Sequence, residues 1–313
     1  MVKMSILLLG GSGFVGQNIS MAFAAENIAY SKASKSTGVD LRDYKQTQKL
    51  IQSTRPKFII NCAAHVGSLN YVSQQAADVI VDNSEMVLAM YKALSVESRD
   101  TIVINPIANC AYPGNLEIYS EDQFWNGAVH RSVLSYGSTR RFLMALSECF
   151  YMQHHIRTIS LVVPNMYGPF DSTDPNKAHA MNALIAKFVK AKKGGLNDVR
   201  IWGTGIAIRE WLFAKDFARL ICEIVGDPHR LGLDEPTNIG QNFGLSVREI
   251  ATLIRNHVSF EGRVEFDPSK PDGAPKKVMN DQRFRKIFPD FVFTDISQGI
   301  NETIEYYQSI YPY

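Results

Sequence analysis

Residues 5–16, Ser5-Ile6-Leu7-Leu8-Leu9-Gly10-Gly11-Ser12-Gly13-Phe14-Val15-Gly16, decide the fold. An apolar run without alternation reads as a strand buried on both faces, and it leads through glycines into the helical pattern "QNISMAFAAEN". Strand, glycine turn and helix form the setting in which bare backbone lets a diphosphate approach a helix N-terminus. Gly10-x-x-Gly13-x-x-Gly16 in that setting favours a dinucleotide site over a mere tight turn.

Working outward, "FIINCAA", "TIVIN" and "TISLVVP" repeat the buried-strand pattern, and residues 43–54, 75–97 and 135–154 carry apolar residues at helical spacing. This alternation predicts an α/β fold, a Rossmann-type doubly wound parallel sheet with a smaller α/β lobe. The expected division is residues 1–163 with 214–240 for the dinucleotide lobe, and 164–213 with 241–313 for the substrate lobe. The strand "TIVIN" is expected to end at Asn105, where "INPIANCAYP" brings two prolines, two asparagines and Cys110.

The totals exclude several classes. The 313 residues are 45% hydrophobic and 20% charged, which suits a globular protein, and no apolar run reaches the ~20 residues that span a bilayer. The opening "MVKMSILLLGGSG" is too short in its apolar part for a signal peptide, so a cytoplasmic protein is expected. A net charge of +2 does not point to nucleic acid. Cys62, Cys110, Cys149 and Cys222 have none of the spacings of a metal site or disulfide framework, and no metal is expected.

A second strand, "NIAYS", is expected to deliver the following residues to the adenosine ribose. A carboxylate there would favour NAD, but the chain offers Ser31 at the strand's end and then Lys32, Ser34 and Lys35. Hydroxyls and ammonium groups suit a 2′-phosphate, so NADPH is the expected cofactor.

Tyr136 and Arg140, four apart on the third helical pattern, share one face. The pair resembles the Tyr-x-x-x-Lys motif of the short-chain dehydrogenase/reductases, in which the tyrosine is the acid at a carbonyl and the lysine holds the nicotinamide ribose. Gly10, Gly13, Phe14, Val15 and Gly16, with Asp40-Leu41 and Ala63, resemble the cofactor-binding positions of the extended, epimerase/dehydratase form. The segments "NMYGPFD", "AHAMNALIAKF", "RIWGTGIAIREWLFAKDFA" and "SKPDGAPKK" are similar to those of the GDP-L-fucose synthases in that family. The resemblance implies a homodimer acting on a GDP-linked 4-keto sugar, a deoxyhexose or a heptose, with NADPH reduction at C4 and epimerisation at C3 and C5. It places Asn165, His179, Lys187, Trp202, Arg209 and Lys270 around the substrate, and makes Cys110 and His179 the base and acid of epimerisation. A thiolate and an imidazole suit proton transfer next to a ketone near neutral pH.

Three positions depart from the family pattern. Ala108 stands where the family has Ser or Thr, with Asn109 beside it as the candidate donor to the carbonyl; Arg140 replaces the motif lysine; and Ser12 brings no charge to the 2′-phosphate. A C4 reductase without epimerase activity therefore remains an alternative, as does a non-catalytic NADP(H)-binding protein. A 4,6-dehydratase is disfavoured, since Ala108-Asn109-Cys110 lacks its Thr-Asp-Glu acid set.

Overall fold

A computed structural model describes residues 5–116, 118–232, 235–270 and 272–313. Met1–Met4 of the opening segment and Pro271 of the 269–277 segment lie outside the described residues. The chain runs β1 (Ile6–Leu9), α1 (Phe14–Ala25), β2 (Ser31–Ala33), α2 (Tyr44–Thr54), β3 (Phe58–Asn61), α3 (Leu69–Gln74), α4 (Ala76–Glu97), β4 (Ile102–Ala108), α5 (Leu134–His154) and β5 (Thr158–Val163). It continues through β6 (Asn165–Tyr167), α6 (Ala180–Lys193), β7 (Asp198–Trp202), β8 (Ile208–Arg209), β9 (Trp211–Phe213), α7 (Ala214–Gly226) and β10 (Thr237–Asn238). The last elements are β11 (Leu245–Ser246), α8 (Val247–Val258), β12 (Arg263–Asp267), β13 (Lys276–Lys277), α9 (Gln282–Ile287) and α10 (Ile296–Ser309).

Six parallel strands form the main sheet in the order β10-β5-β4-β3-β1-β2. The apolar run of β1 has no alternation because both faces are covered. Ile6 and Leu8 join a core with Phe23, Phe217 and Leu220, while Leu7 and Leu9 join another with Tyr91, Leu94 and Leu143. Strand order reverses at β1, with β2 on one side and β3 on the other, and that switch point opens a crevice at the carboxyl ends of the strands. A third core gathers residues of α6, α8 and α10 behind the small sheets β12-β7, β6-β9 and β11-β8-β13.

Three segments differ from expectation. The second strand is Ser31–Ala33 rather than "NIAYS": Asn27 takes a positive φ of 54° after α1, and the chain reaches β1 only where Leu7 pairs with Ser31. Lys32 therefore lies in the strand, not beyond it. The fourth strand continues past Asn105 to Ala108, held by β5 through the pairs Asn105–Ser160 to Ala108–Val163. Its pairing with β3 ends at Ile104, so one edge is free there, the circumstance in which a strand accommodates a proline such as Pro106. Finally, Phe284, Phe288 and Phe291 pack into the core containing Phe23 and Leu220, although the sequence division assigns them to the other lobe.

Candidate functional site

The loop after β1 is shaped for a diphosphate. Gly10 has φ +73°, and a Cβ there would stand 2.7 Å from the Ala63 nitrogen and from the Cys62 carbonyl. At Gly16 a Cβ would meet the Gly10 oxygen at 2.3 Å and Gly11 Cα at 2.7 Å, so α1 can pack this closely on the loop only with glycine. The Gly13 nitrogen donates to the Gly10 oxygen at 2.9 Å and closes the turn. Gly13 caps α1 without a side-chain bond, and the first turn holds no acidic residue. Its free N–H groups and positive dipole end fit an anion, and a dinucleotide fits this cradle.

At the far end of the loop, Ser12 Oγ lies 2.9 Å from Ser34 Oγ, which lies 2.9 Å from Ser36 Oγ. The hydroxyl chain sits beside exposed Ser31, Lys32 and Lys35, and the Lys32 stem lies over Gly11. Asp40 is not free to meet a ligand with its side chain. Arg42 grips both its oxygens at 2.6–3.2 Å and holds the carboxyl at about 2. Leu41 is buried in the core.

Cys110 lies in the short helical turn Asn109–Ala111 that follows β4. Gly137 at the start of α5 abuts this turn, since a Cβ there would stand 2.7 Å from the Cys110 carbonyl oxygen. Tyr136 is thereby brought beside Cys110. Arg140 is 2% exposed, donates from Nη2 to Asn83 Oδ1 at 2.7 Å, and stacks 4.8 Å from the Tyr136 ring centroid. Burial pushes the Tyr136 phenol up, with the Arg140 charge opposing and Cys110 adding to the rise. Burial likewise pushes the Cys110 thiol up, against the pull of Lys277 and Arg140. Asn109, 5% exposed, has a side-chain nitrogen without a partner, and so does the Nε of Arg140.

The remaining expected residues come from the strands and helix beyond β5. His179 is the first residue before α6, and its ring lies 5.2 Å from that of Phe14 at the start of α1, so two distant segments meet there. Asn165 Nδ2 donates to the Glu210 oxygen at 3.4 Å. Lys187 is exposed and donates to the Arg200 oxygen at 2.7 Å. Trp202 is 60% exposed, which excludes a core role, and the Lys270 ammonium lies 5.6 Å from its ring centroid. Arg209 donates to the Ile208 and Asp272 backbone oxygens at 2.8 and 2.9 Å; burial lowers its pKa. Of these, Arg209 adjoins the Cys110 cluster through Lys277, which pairs with Arg209 in register and whose charge reaches both Arg209 and the thiol.

Sequence reasoning passed over four residues here. Asn83 receives Arg140; Lys277 lies in register beside Arg209; Asp171 holds His179; and Glu210 lies fully buried beside Arg209. Sequence offered a signal for three of them: Asp171 ends the segment "NMYGPFD", Glu210 lies within "RIWGTGIAIREWLFAKDFA", and Lys277 ends "SKPDGAPKK".

A model of the NAD dependent epimerase/dehydratase family matches residues 6–240. The chain belongs to that family. GDP-L-fucose synthase of Dictyostelium discoideum is 26% identical over 312 residues, covering 97% of this chain and 95% of the relative. The crystal structure of a GDP-L-fucose synthetase from Naegleria fowleri bound to NADP has a TM-score of 0.85 at 24% identity, covering 98% of this chain and 94% of that one. That of a GDP-6-OMe-4-keto-L-xylo-heptose reductase from C. jejuni has a TM-score of 0.88 at 20% identity, covering 99% of both chains.

Proposed function

We propose that this chain reduces C4 of a GDP-linked 4-keto sugar, a deoxyhexose or a heptose, with NADPH, and exchanges protons at C3 or C5 beforehand. The observation that carries this reading is the convergence of Tyr136, Arg140 and Cys110 at the carboxyl end of β4. The names of the relatives, synthases and a reductase of GDP-sugars, support the substrate class. A dinucleotide held by the Gly10–Gly16 loop would supply hydride to C4. Tyr136 donates the proton to the C4 oxygen, and burial, by raising its pKa, keeps that proton on the phenol until the oxygen becomes basic. Arg140 holds the tyrosine from its Asn83 anchor, and Asn109 presents its unpartnered amide to the carbonyl in place of the missing hydroxyl. Arg209, Lys187 and Lys270 meet the diphosphate, while Trp202 covers an apolar face of the base or sugar.

The second reading, a C4 reductase without epimerisation, is favoured by one observation: burial holds the Cys110 thiol above its ordinary value. Incubation with NADPH and a panel of GDP-4-keto sugars, followed at the nicotinamide band, tests the reduction; binding without turnover would favour the non-catalytic alternative. Supplying the keto sugar in deuterated water with oxidised cofactor tests the exchange, and deuterium at C3 or C5, lost in Cys110→Ser, is expected. Reduction without deuterium would leave the plain reductase.

The active form on this reading is a homodimer. Val81, Leu88, Phe142 and Met152 of the packed pair α4 and α5 are exposed, and an apolar stripe of this kind suits a second copy. Among the described residues no helix is long and apolar enough to cross a membrane, and the substrate and cofactor fit a cytoplasmic enzyme.

A further inference from the structure

The imidazole of His179 is held from behind. Asp171 Oδ2 accepts from the His179 backbone nitrogen at 2.8 Å and from Asn182 Nδ2 at 2.8 Å, and His179 Nδ1 stands 3.1 Å from each carboxylate oxygen. Asn182 is itself fixed, accepting from the Gly168 nitrogen at 3.1 Å. The Asp171 side chain is 4% exposed and that of His179 34%. Burial pushes the Asp171 carboxyl up, but the hydrogen bond and charge of His179, with Asn182, outweigh it and hold the group below its ordinary value. An ionised carboxylate is an acceptor alone, so Nδ1 carries the hydrogen. Nε2 then remains the exchangeable nitrogen, on a ring that packs 5.2 Å from that of Phe14 at the start of α1.

We infer that Asp171 is a positioning residue for proton transfer by His179. It locks the tautomer, so that one nitrogen keeps its hydrogen throughout and the other does the chemistry. It also stabilises the imidazolium through its charge. The step balances without any further reactant. The Cys110 thiolate takes the proton from the carbon beside the ketone, and the C–H electron pair moves into the enolate. His179 then gives its Nε2 proton to the opposite face of the same carbon, leaving a thiol and a neutral imidazole that solvent resets. Asp171 remains ionised from start to finish. This inference rests on the reading of His179 as proton partner of Cys110.

A bare structural role for Asp171, fastening the start of α6 through the His179 nitrogen, makes a different set of predictions. The first test uses the native protein labelled with nitrogen-15 at histidine. In its neutral form His179 should show a hydrogen-bearing Nδ1 and a bare Nε2, and the opposite tautomer would overturn the inference. The second uses Asp171→Asn, which keeps the shape. Deuterium incorporation from water should fall by at least about 100-fold, by analogy with loss of the orienting carboxylate in a hydrolase triad. NADPH binding and reduction of an already epimerised ketone should change by less than about threefold. In a His179→Asn background, Asp171→Asn should cost nothing further, since the two act as one unit. Additive losses would make Asp171 a structural residue and overturn the inference. If the native protein reduces the ketone without incorporating deuterium, the epimerase reading fails, and the tautomer measurement still decides what Asp171 does.

Discussion

Glu210 offers the sharpest test of the energetics beside the site. It is 0% exposed, and its carboxyl accepts from the Gln241 nitrogen and, at 2.8 Å, from the Met279 nitrogen. Burial raises its pKa from the ordinary 4.5 to about 7, against the lowering effect of these backbone donors. Each tenfold change in proton affinity is worth about 1.4 kcal/mol, so the fold favours the protonated form by about 3 kcal/mol. That contribution is complete below 4.5, where folded and unfolded chains both hold the proton, and is lost as the pH rises through about 7. Glu210→Gln removes the titration while keeping the size. Its amide also sets a donor against one of the two backbone N–H groups, so the variant is less stable than the native chain in acid. Urea unfolding of both proteins, followed by tryptophan fluorescence from about pH 5 to about pH 8, measures the gap between them. The gap should shrink by about 2–3 kcal/mol across that range. A constant gap would refute the argument, because Glu210 would then titrate alike in the folded and unfolded chains.

Gly16→Ala should lower the melting temperature and weaken NADPH more than tenfold by rough estimate, since its Cβ meets backbone at 2.3 Å and overpacking costs about 1–3 kcal/mol; calorimetry and a cofactor titration check both. Replacing Lys32 and Lys35 by alanine should weaken NADPH roughly tenfold and NADH less than about twofold, the effect shrinking at high salt. Equal losses for the two cofactors would show that these lysines do not read the 2′-phosphate. Arg140→Lys keeps the cation but gives up the planar stack on Tyr136, so turnover should stay within about tenfold of the native rate, whereas Arg140→Met should abolish it. Tyr136→Phe should remove reduction and leave binding of cofactor and GDP intact, which separate kinetic and binding measurements distinguish.

The parts of this molecule legible in the sequence are those written in local patterns. Ile6–Leu9 and Phe58–Asn61 announce themselves as doubly buried strands, and 43–54, 75–97 and 135–154 fall within one residue of α2, α4 and α5. Tyr136 and Arg140 were visible because one helix turn brings them together. Pro106 misled because a proline argues against a central strand, and its toleration depends on where β3 stops, which no local pattern records. Lys277 illustrates the same limit. In sequence it is one of a pair of adjacent lysines; in the fold, pairing with Arg209 turns it into a half-buried cation next to a thiol. Asp171 and His179 are eight residues apart in a stretch that is neither helix nor strand, so no period links them. Their contact follows from the turn between β6 and α6.

The departures at Ala108 and Arg140 could mark a site that has lost its chemistry, and the polar accounting at the two positions argues otherwise. Asn109 Nδ2 and Arg140 Nε are both buried and unpartnered, and leaving a buried donor unsatisfied costs about 1–3 kcal/mol. A binding site that had decayed into ordinary core would shed such costs, since apolar replacements of similar shape are neutral or stabilising. Here the two donors flank the cluster of Cys110 and Tyr136, where a ketone oxygen and ribose hydroxyls can accept from them. Arg140 has also acquired a partner suited to its own geometry, donating from Nη2 to Asn83 Oδ1. Asn83 in turn donates to the His65 oxygen at 2.8 Å and to the Val79 oxygen at 2.7 Å. The guanidinium is thus built into a fixed frame from which its stack sets the height of the tyrosine ring. Unsatisfied donors held rigidly beside a proton-bearing phenol describe a site organised for a polar ligand, and that favours the enzyme over the binding protein.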